Sequence, residues 1–175
     1  MKILKKNKIG ILGGTFDPAH KGHIKISLEA KKKIHLDKII WAITKKNPFK
    51  EKSHKSLKER IKFAKKLNKK NNFIKIHFFE NKLKSNKIIN LISYLKKKNQ
   101  NTDYYFIMGA DNLIKFHKWH RWKKIASICQ ILVFDRSRYK AKSLKSIAYK
   151  KFNKKGLEFI NLKKVNISSS QLRKI

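Results

Sequence analysis

The chain is poor in cysteine, proline, glycine and acid, and each shortage excludes something. It has one cysteine, Cys129, so there is no disulfide framework, which fits a reducing compartment. Cys129 lies in the apolar stretch IASICQILVF and reads as a buried thiol rather than a nucleophile. Ten acidic residues give no convincing paired carboxylates and no Ser/His/Asp triad. Long hydrophobic runs are missing too. Ile125–Phe134, the longest uncharged one, is too short to span a bilayer, and MKILKKNKIGILGG has charge but no secretory hydrophobic region. Linkers, low-complexity tracts and repeats are lacking, so residues 1–175 are expected to form a single domain. A cytoplasmic protein with no membrane partner is expected.

What the chain has in excess is lysine. Lys and Arg total 47 and the net charge is +37, a field that favours anionic ligands such as nucleotides. The lysines are spread over every segment, and no run is longer than three, at Lys31–Lys33 and Lys96–Lys98. Lysine, isoleucine and asparagine are inflated together, as in an AT-rich coding sequence. That accounts for the charge without a dedicated nucleic-acid surface. No specific nucleic-acid partner is expected. RNA binding is the alternative class, and the oligomeric state is left open.

Apolar, β-branched runs alternate with runs of helical period. Ile9–Leu12, Lys38–Ile43, Phe73–Phe79, Tyr104–Met108, Ile131–Phe134 and Leu157–Ile160 read as strands. Ile24–Lys33, Leu57–Leu67, Ile88–Leu95 and Trp119–Ile128 read as helices, and Asn47–Ser56 as a loop. Strand then helix, repeated, predicts a Rossmann-like α/β fold, a doubly wound parallel sheet with helices on both faces. Ligands of such sheets bind at the carboxyl ends of the strands, where the strand order reverses.

At the end of the first strand stands GGTFDPAHKGH, Gly13 to His23. Gly13 and Gly14 permit close backbone approach, and a glycine turn feeding a helix is a ready phosphate site. The string is neither the G-x-G-x-x-G dinucleotide fingerprint nor a Walker motif. Instead His20 and His23 flank Gly22; residues three apart share a helix face, so both imidazoles can reach one phosphate group. No third ligand stands nearby at zinc spacing, so no metal site is expected. Asp17 reads either as a turn residue before Pro18 or as a ligand.

Two further segments fall at the right places. NISSSQLRKI, Asn166 to Ile175, offers Ser168 and Ser169 as helix-capping hydroxyls for phosphate oxygens, with Arg173 one turn on. Arginine is scarce here (Arg60, Arg121, Arg136, Arg138, Arg173), and its planar fork is not replaceable by lysine. FIMGADNLIKFHKW places Gly109 and Asp111 just after a strand, where a carboxylate can accept hydrogen bonds from ribose hydroxyls. Taken by themselves, Trp119 and Trp122 read as core residues before ring platforms.

Taken together, from Ile9 to Arg173, the chain resembles the bacterial nicotinate-nucleotide adenylyltransferases of the H-x-G-H nucleotidyltransferase superfamily. Thr15, Phe16, Asp17, Pro18, His20, Gly22 and His23 match the opening motif. Ile167, Ser168, Ser169 and Arg173 match a terminal I-S-S-T-x-I-R element, with Ser170 for threonine and Leu172 for isoleucine. The resemblance implies adenylyl transfer from ATP to nicotinate mononucleotide, a step of NAD biosynthesis, with Mg²⁺ held mainly by ATP oxygens. It implies that His20, His23 and Arg173 act on the phosphates, with Lys50, Ser168 and Ser169 beside them. Gly13, Gly14, Thr15 and Phe16 would form the floor, Gly109 and Asp111 hold the ribose, and Trp119 stack on the pyridine ring. TKKNPFK stands where the family reads P-P-H-K, keeping Pro48 and Lys50. In SNKIINL, Lys87 replaces a usual threonine near the nicotinate carboxylate, so the choice between acid and amide is open. Arg60 matches a family arginine and reads equally as a solvated helix charge. A sibling transferase acting on nicotinamide mononucleotide, and cytidylyl or phosphopantetheine adenylyl transfer, are the neighbouring activities.

Overall fold

A computed structural model describes residues 6–46, 53–135, 139–153 and 155–162. Within them, strands β1 (Asn7–Gly14), β2 (Lys38–Ile43), β3 (Ile74–His77), β4 (Thr102–Gly109), β5 (Gln130–Phe134) and β6 (Leu157–Ile160) form one sheet. Every pairing is parallel and the order is β3-β2-β1-β4-β5-β6. The chain winds outward from β1 to β3, then returns to place β4 on the other side of β1. The gap between the ends of β1 and β4 is therefore the point where strand order reverses.

The strands are apolar throughout because both faces are covered. Side chains alternate at period two: Ile131 and Val133 of β5 enter one core, Leu132 and Phe134 the other. Helices α1 (Lys21–Ile34) and α2 (Leu57–Leu67) cover one face through Ile26, Ala30 and Ala64, around Trp41 and Ile39. The other face is covered by α4 (Ile88–Lys98), α5 (Ala110–Lys115), α6 (Trp122–Ile128) and α8 (Ile147–Phe152). Two short helices, α3 (Glu80–Leu83) and α7 (Lys140–Leu144), complete the order. No helix among the described residues is long and apolar enough to cross a membrane.

The sequence expectations hold for all six strands and for the first three helices. Trp119–Ile128 is shorter than expected: Phe116–Lys118 forms a 3₁₀ turn and α6 begins only at Trp122. Helices α3, α5, α7 and α8 were not expected, because four to six residues carry too little helical period to be read. Arg60 is not a solvated charge; it is buried, at 2% exposure. Cys129 is buried as expected, and burial pushes its thiol up to about 12, so it carries no thiolate at neutral pH.

Charge pairing between described residues is sparse. Among the described residues the ion pairs are Lys6–Asp103 at 3.9 Å and Lys33–Glu158 at 4.0 Å, both exposed. Exposed pairs of this kind contribute about 0–1 kcal/mol. Packing of the two cores carries the fold.

Candidate active site

The site begins where β1 ends. Gly13 and Gly14 are its last two residues, in extended conformation, and the chain turns not at a glycine but at Phe16, with φ of 49°. A left-handed aromatic residue costs roughly 1–2 kcal/mol. Burial of its ring, stacked on Trp41 at 4.8 Å, offsets that cost. The expectation of a glycine turn is corrected accordingly: the glycines contribute open space. Both line a cavity, and a Cβ at Gly14 would meet the Phe16 ring in ordinary contact at 3.4 Å.

The two histidines then start α1 in an unusual way. His20 is the capping residue; its Nδ1 accepts from the Gly22 amide at 3.1 Å. His23, three residues on, accepts from the His20 amide through its own Nδ1 at 3.2 Å. This is a capping box built from two imidazoles where Ser and Glu are usual. A neutral imidazole that accepts at Nδ1 carries its proton on Nε2. Helix formation thus sets the tautomer of both rings, each with an Nε2–H donor. Their centroids lie 3.9 Å apart, as the spacing predicts. His20 is only 5% exposed, whereas His23 is half-buried and leans on Phe16 at 4.8 Å. Below it, Trp41 donates to Ser27, which donates to the His23 carbonyl, both at 2.9 Å.

Beside this turn lies a cavity of ≈ 360 Å³ between the ends of β1 and β2, the α3–α4 loop and Trp119. Trp119 is held by T-shaped contacts with Phe106 at 5.8 Å and Phe116 at 5.4 Å. Trp122 packs on Phe116 and Phe152, in the core. Lys46, Lys87, Lys118 and His120 also line the cavity. Lys87 occupies the capping position of α4 and supplies no side-chain cap, so the positive end of that helix opens at the cavity. Glu80 is the one acid among the described lining residues, and it accepts from Thr44 Oγ1 and from the Lys45 amide at 3.1 Å.

Gly109 caps α5 across the switch point, and Asp111 stands in that helix's first turn. A carboxylate there also stabilises the helix dipole. Asp17 sits in the turn before Pro18, as expected, and its carboxylate also accepts from the His54 amide at 2.6 Å and the Lys55 amide at 3.2 Å. Lys50, Ser168, Ser169 and Arg173 lie outside the described residues.

Glu80 escaped sequence reasoning, and the sequence reading of Arg60 did not reach its burial. Arg60 had a signal: Leu57, Arg60, Ile61 and Ala64 share the buried stripe of α2, so this arginine falls on the apolar face. For Glu80 the only hint was its rarity as an acid, because its partners depend on tertiary contact.

Comparison with known proteins agrees with this fold. A family model described as cytidylyltransferase-like matches residues 11–175. A probable nicotinate-nucleotide adenylyltransferase of Pelagibacter ubique is 67% identical over 171 residues, covering 98% of this chain and 94% of the relative. One from Rhizobium meliloti is 35% identical over 129 residues, covering 73% and 68%. The solved Plasmodium falciparum nicotinic acid mononucleotide adenylyltransferase complexed with NaAD superposes with a TM-score of 0.74. It is 20% identical and the match covers 96% of this chain and 83% of that one, a likeness of fold. The chain belongs to the nicotinate-nucleotide adenylyltransferase family.

Proposed function

We propose that the protein transfers the adenylyl group of ATP to nicotinate mononucleotide, giving nicotinate adenine dinucleotide and pyrophosphate. One observation carries this reading: the paired imidazoles and the cation-lined cavity share the exit of β1, at Gly13 and Gly14. A phosphate group bridging the two would lie at the strand-order reversal.

The 5′-phosphate of the mononucleotide attacks the α-phosphorus of ATP in line. The bond from that phosphorus to the oxygen bridging to the β-phosphate breaks, and pyrophosphate leaves with the electron pair. The nucleophile is already ionised at neutral pH, so no general base is required, in keeping with the shortage of acids. The protein's work is positioning and stabilisation of charge on the transferring group. His23, the more accessible ring, donates its Nε2–H to the oxygens around the α-phosphorus, and His20 stands behind it. Gly13, Gly14, Thr15 and Phe16 form the floor, and Gly109 and Asp111 hold the adenosine ribose. Trp119 stacks on the pyridine ring, and Lys87 faces its carboxylate. By resemblance, Lys50, Ser168, Ser169 and Arg173 take the β- and γ-phosphates.

Magnesium enters as part of the substrate, Mg-ATP, carried by phosphate oxygens. Among the described residues, no group of three or more His, Cys, Asp or Glu could hold a metal ion. A cytoplasmic location fits the inert, buried Cys129.

The direct test is pyrophosphate release with Mg-ATP and nicotinate mononucleotide, with chromatography of the dinucleotide product. No release would overturn the reading. Removing the platform checks the cavity half. Trp119→Ala should raise KM for the mononucleotide by roughly 5- to 150-fold, the range of one stacked ring, with KM for ATP little changed. Equal rises in both would place Trp119 in the core alone.

A further inference from the structure

Arg60 makes an unusual set of bonds for a buried cation. Its Nη1 donates to the Thr15 carbonyl at 2.5 Å and the Thr44 carbonyl at 2.8 Å. Nη2 donates to the Lys45 carbonyl at 3.2 Å, and Nε to the Lys55 carbonyl at 3.1 Å. These four carbonyls belong to three separate segments: the turn after β1, the exit of β2 and the entry to α2. Each lies just outside a regular element, so no ladder satisfies it. Burial works against the guanidinium charge, while Asp17 and Glu80 favour it. Those two acids extend the assembly on either side. Asp17 holds the His54 and Lys55 amides, and Glu80 holds Thr44 and the Lys45 amide at the cavity wall.

We propose that Arg60 is a positioning residue, which locks the turn carrying Thr15 and Phe16 in register with the β2 exit, and so aligns the imidazole pair with the pyridine cavity. Only arginine can do this. Its rigid fork presents five donors over a planar span, whereas a lysine ammonium is a single point with three. The same bonds bring residues 45 and 55, the two flanks of the segment that contains Lys50, against one side chain. The functional half of the inference rests on the proposed adenylyl transfer; the clamp itself does not.

Two readouts on Arg60→Lys separate these halves. Amide hydrogen exchange should quicken at least tenfold at residues 14–16, 44–46 and 53–56, with β5 and α4 unchanged. Unchanged exchange in those segments, or a uniform rise across the sheet, would overturn the clamp. In steady-state kinetics kcat should fall at least tenfold, with KM for nicotinate mononucleotide within threefold. Arg60→Ala should recover kcat in millimolar guanidinium but not in methylammonium. An unchanged kcat, or a loss shared by kcat, both KM values and Tm, would reduce Arg60 to a structural residue. Should the Arg60 variants fail to fold, Asp17→Asn loosens the clamp from its other side and must quicken exchange at His54 and Lys55 while lowering kcat; if it does neither, the proposal fails. If the wild-type protein releases no pyrophosphate, the proposed function falls, and the exchange experiment still decides the clamp.

Discussion

Replacing His23 by alanine should lower turnover about 10²–10³-fold, the loss typical of removing one preorganised donor to a developing oxyanion. That is about 2.7–4 kcal/mol of transition-state stabilisation. Alanine also removes an acceptor from the capping box, so the variant mixes chemistry with helix stability. His23→Gln separates them. A glutamine at this position can still reach back to the His20 amide, as in ordinary capping boxes. It has no ring, and its one remaining donor group is a neutral amide N–H₂ that no rigid ring aims at the α-phosphorus. Its expected phenotype is a wild-type melting temperature with the same loss of kcat. The corresponding change at the buried ring, His20→Asn, keeps a strong capping oxygen and should cost roughly ten- to hundredfold in turnover. If both His23→Gln and His23→Ala turn over near the wild-type rate, the imidazole has no part in the reaction and the pair is only a helix cap.

Nicotinate mononucleotide should be preferred over its amide at least tenfold in kcat/KM. The cavity is lined by Lys46, Lys87, Lys118 and His120, and its acid, Glu80, is engaged by Thr44 and Lys45. A carboxylate meets donors there, whereas a carboxamide brings its own N–H groups to a wall already rich in them. One hydrogen bond to a charged partner contributes about 1.5–3 kcal/mol, or roughly 10- to 150-fold. Lys87→Met should erase about tenfold of that preference by raising KM for the acid while leaving the amide unaffected. Equal use of the two substrates would overturn the expected selectivity, and preference for the amide would move the protein to the amide-using sibling activity.

Much of this was legible in the sequence, and for identifiable reasons. The strands could be read because a sheet covered on both faces makes continuous apolar runs, as in YYFIM and QILVF. The imidazole pair could be read because three-residue spacing on a helix start admits one arrangement of the rings. What escaped were features settled only by tertiary contact. The turn at Phe16 looked like glycine's work, because nothing local announces that a stacked tryptophan will hold an aromatic residue at positive φ. Helix α5 has six residues and draws its position from the end of β4. Arg60 sat in plain view on the apolar stripe of α2, and only the four carbonyls converging on it explain why a charge is there.

The scarcity of ion pairs has a further consequence. With +37 charges and only two weak pairs among the described residues, most lysines repel one another across the surface. Counterions then belong to the native state as much as side chains do. Shortening the screening length from about 10 Å at 0.1 M salt to about 3 Å at 1 M relieves that repulsion. The same screening dims the field that draws nucleotides to the cavity mouth. Added salt should therefore raise the melting temperature and KM together. Stability and substrate capture pull in opposite directions on one variable, the ionic strength of the surroundings.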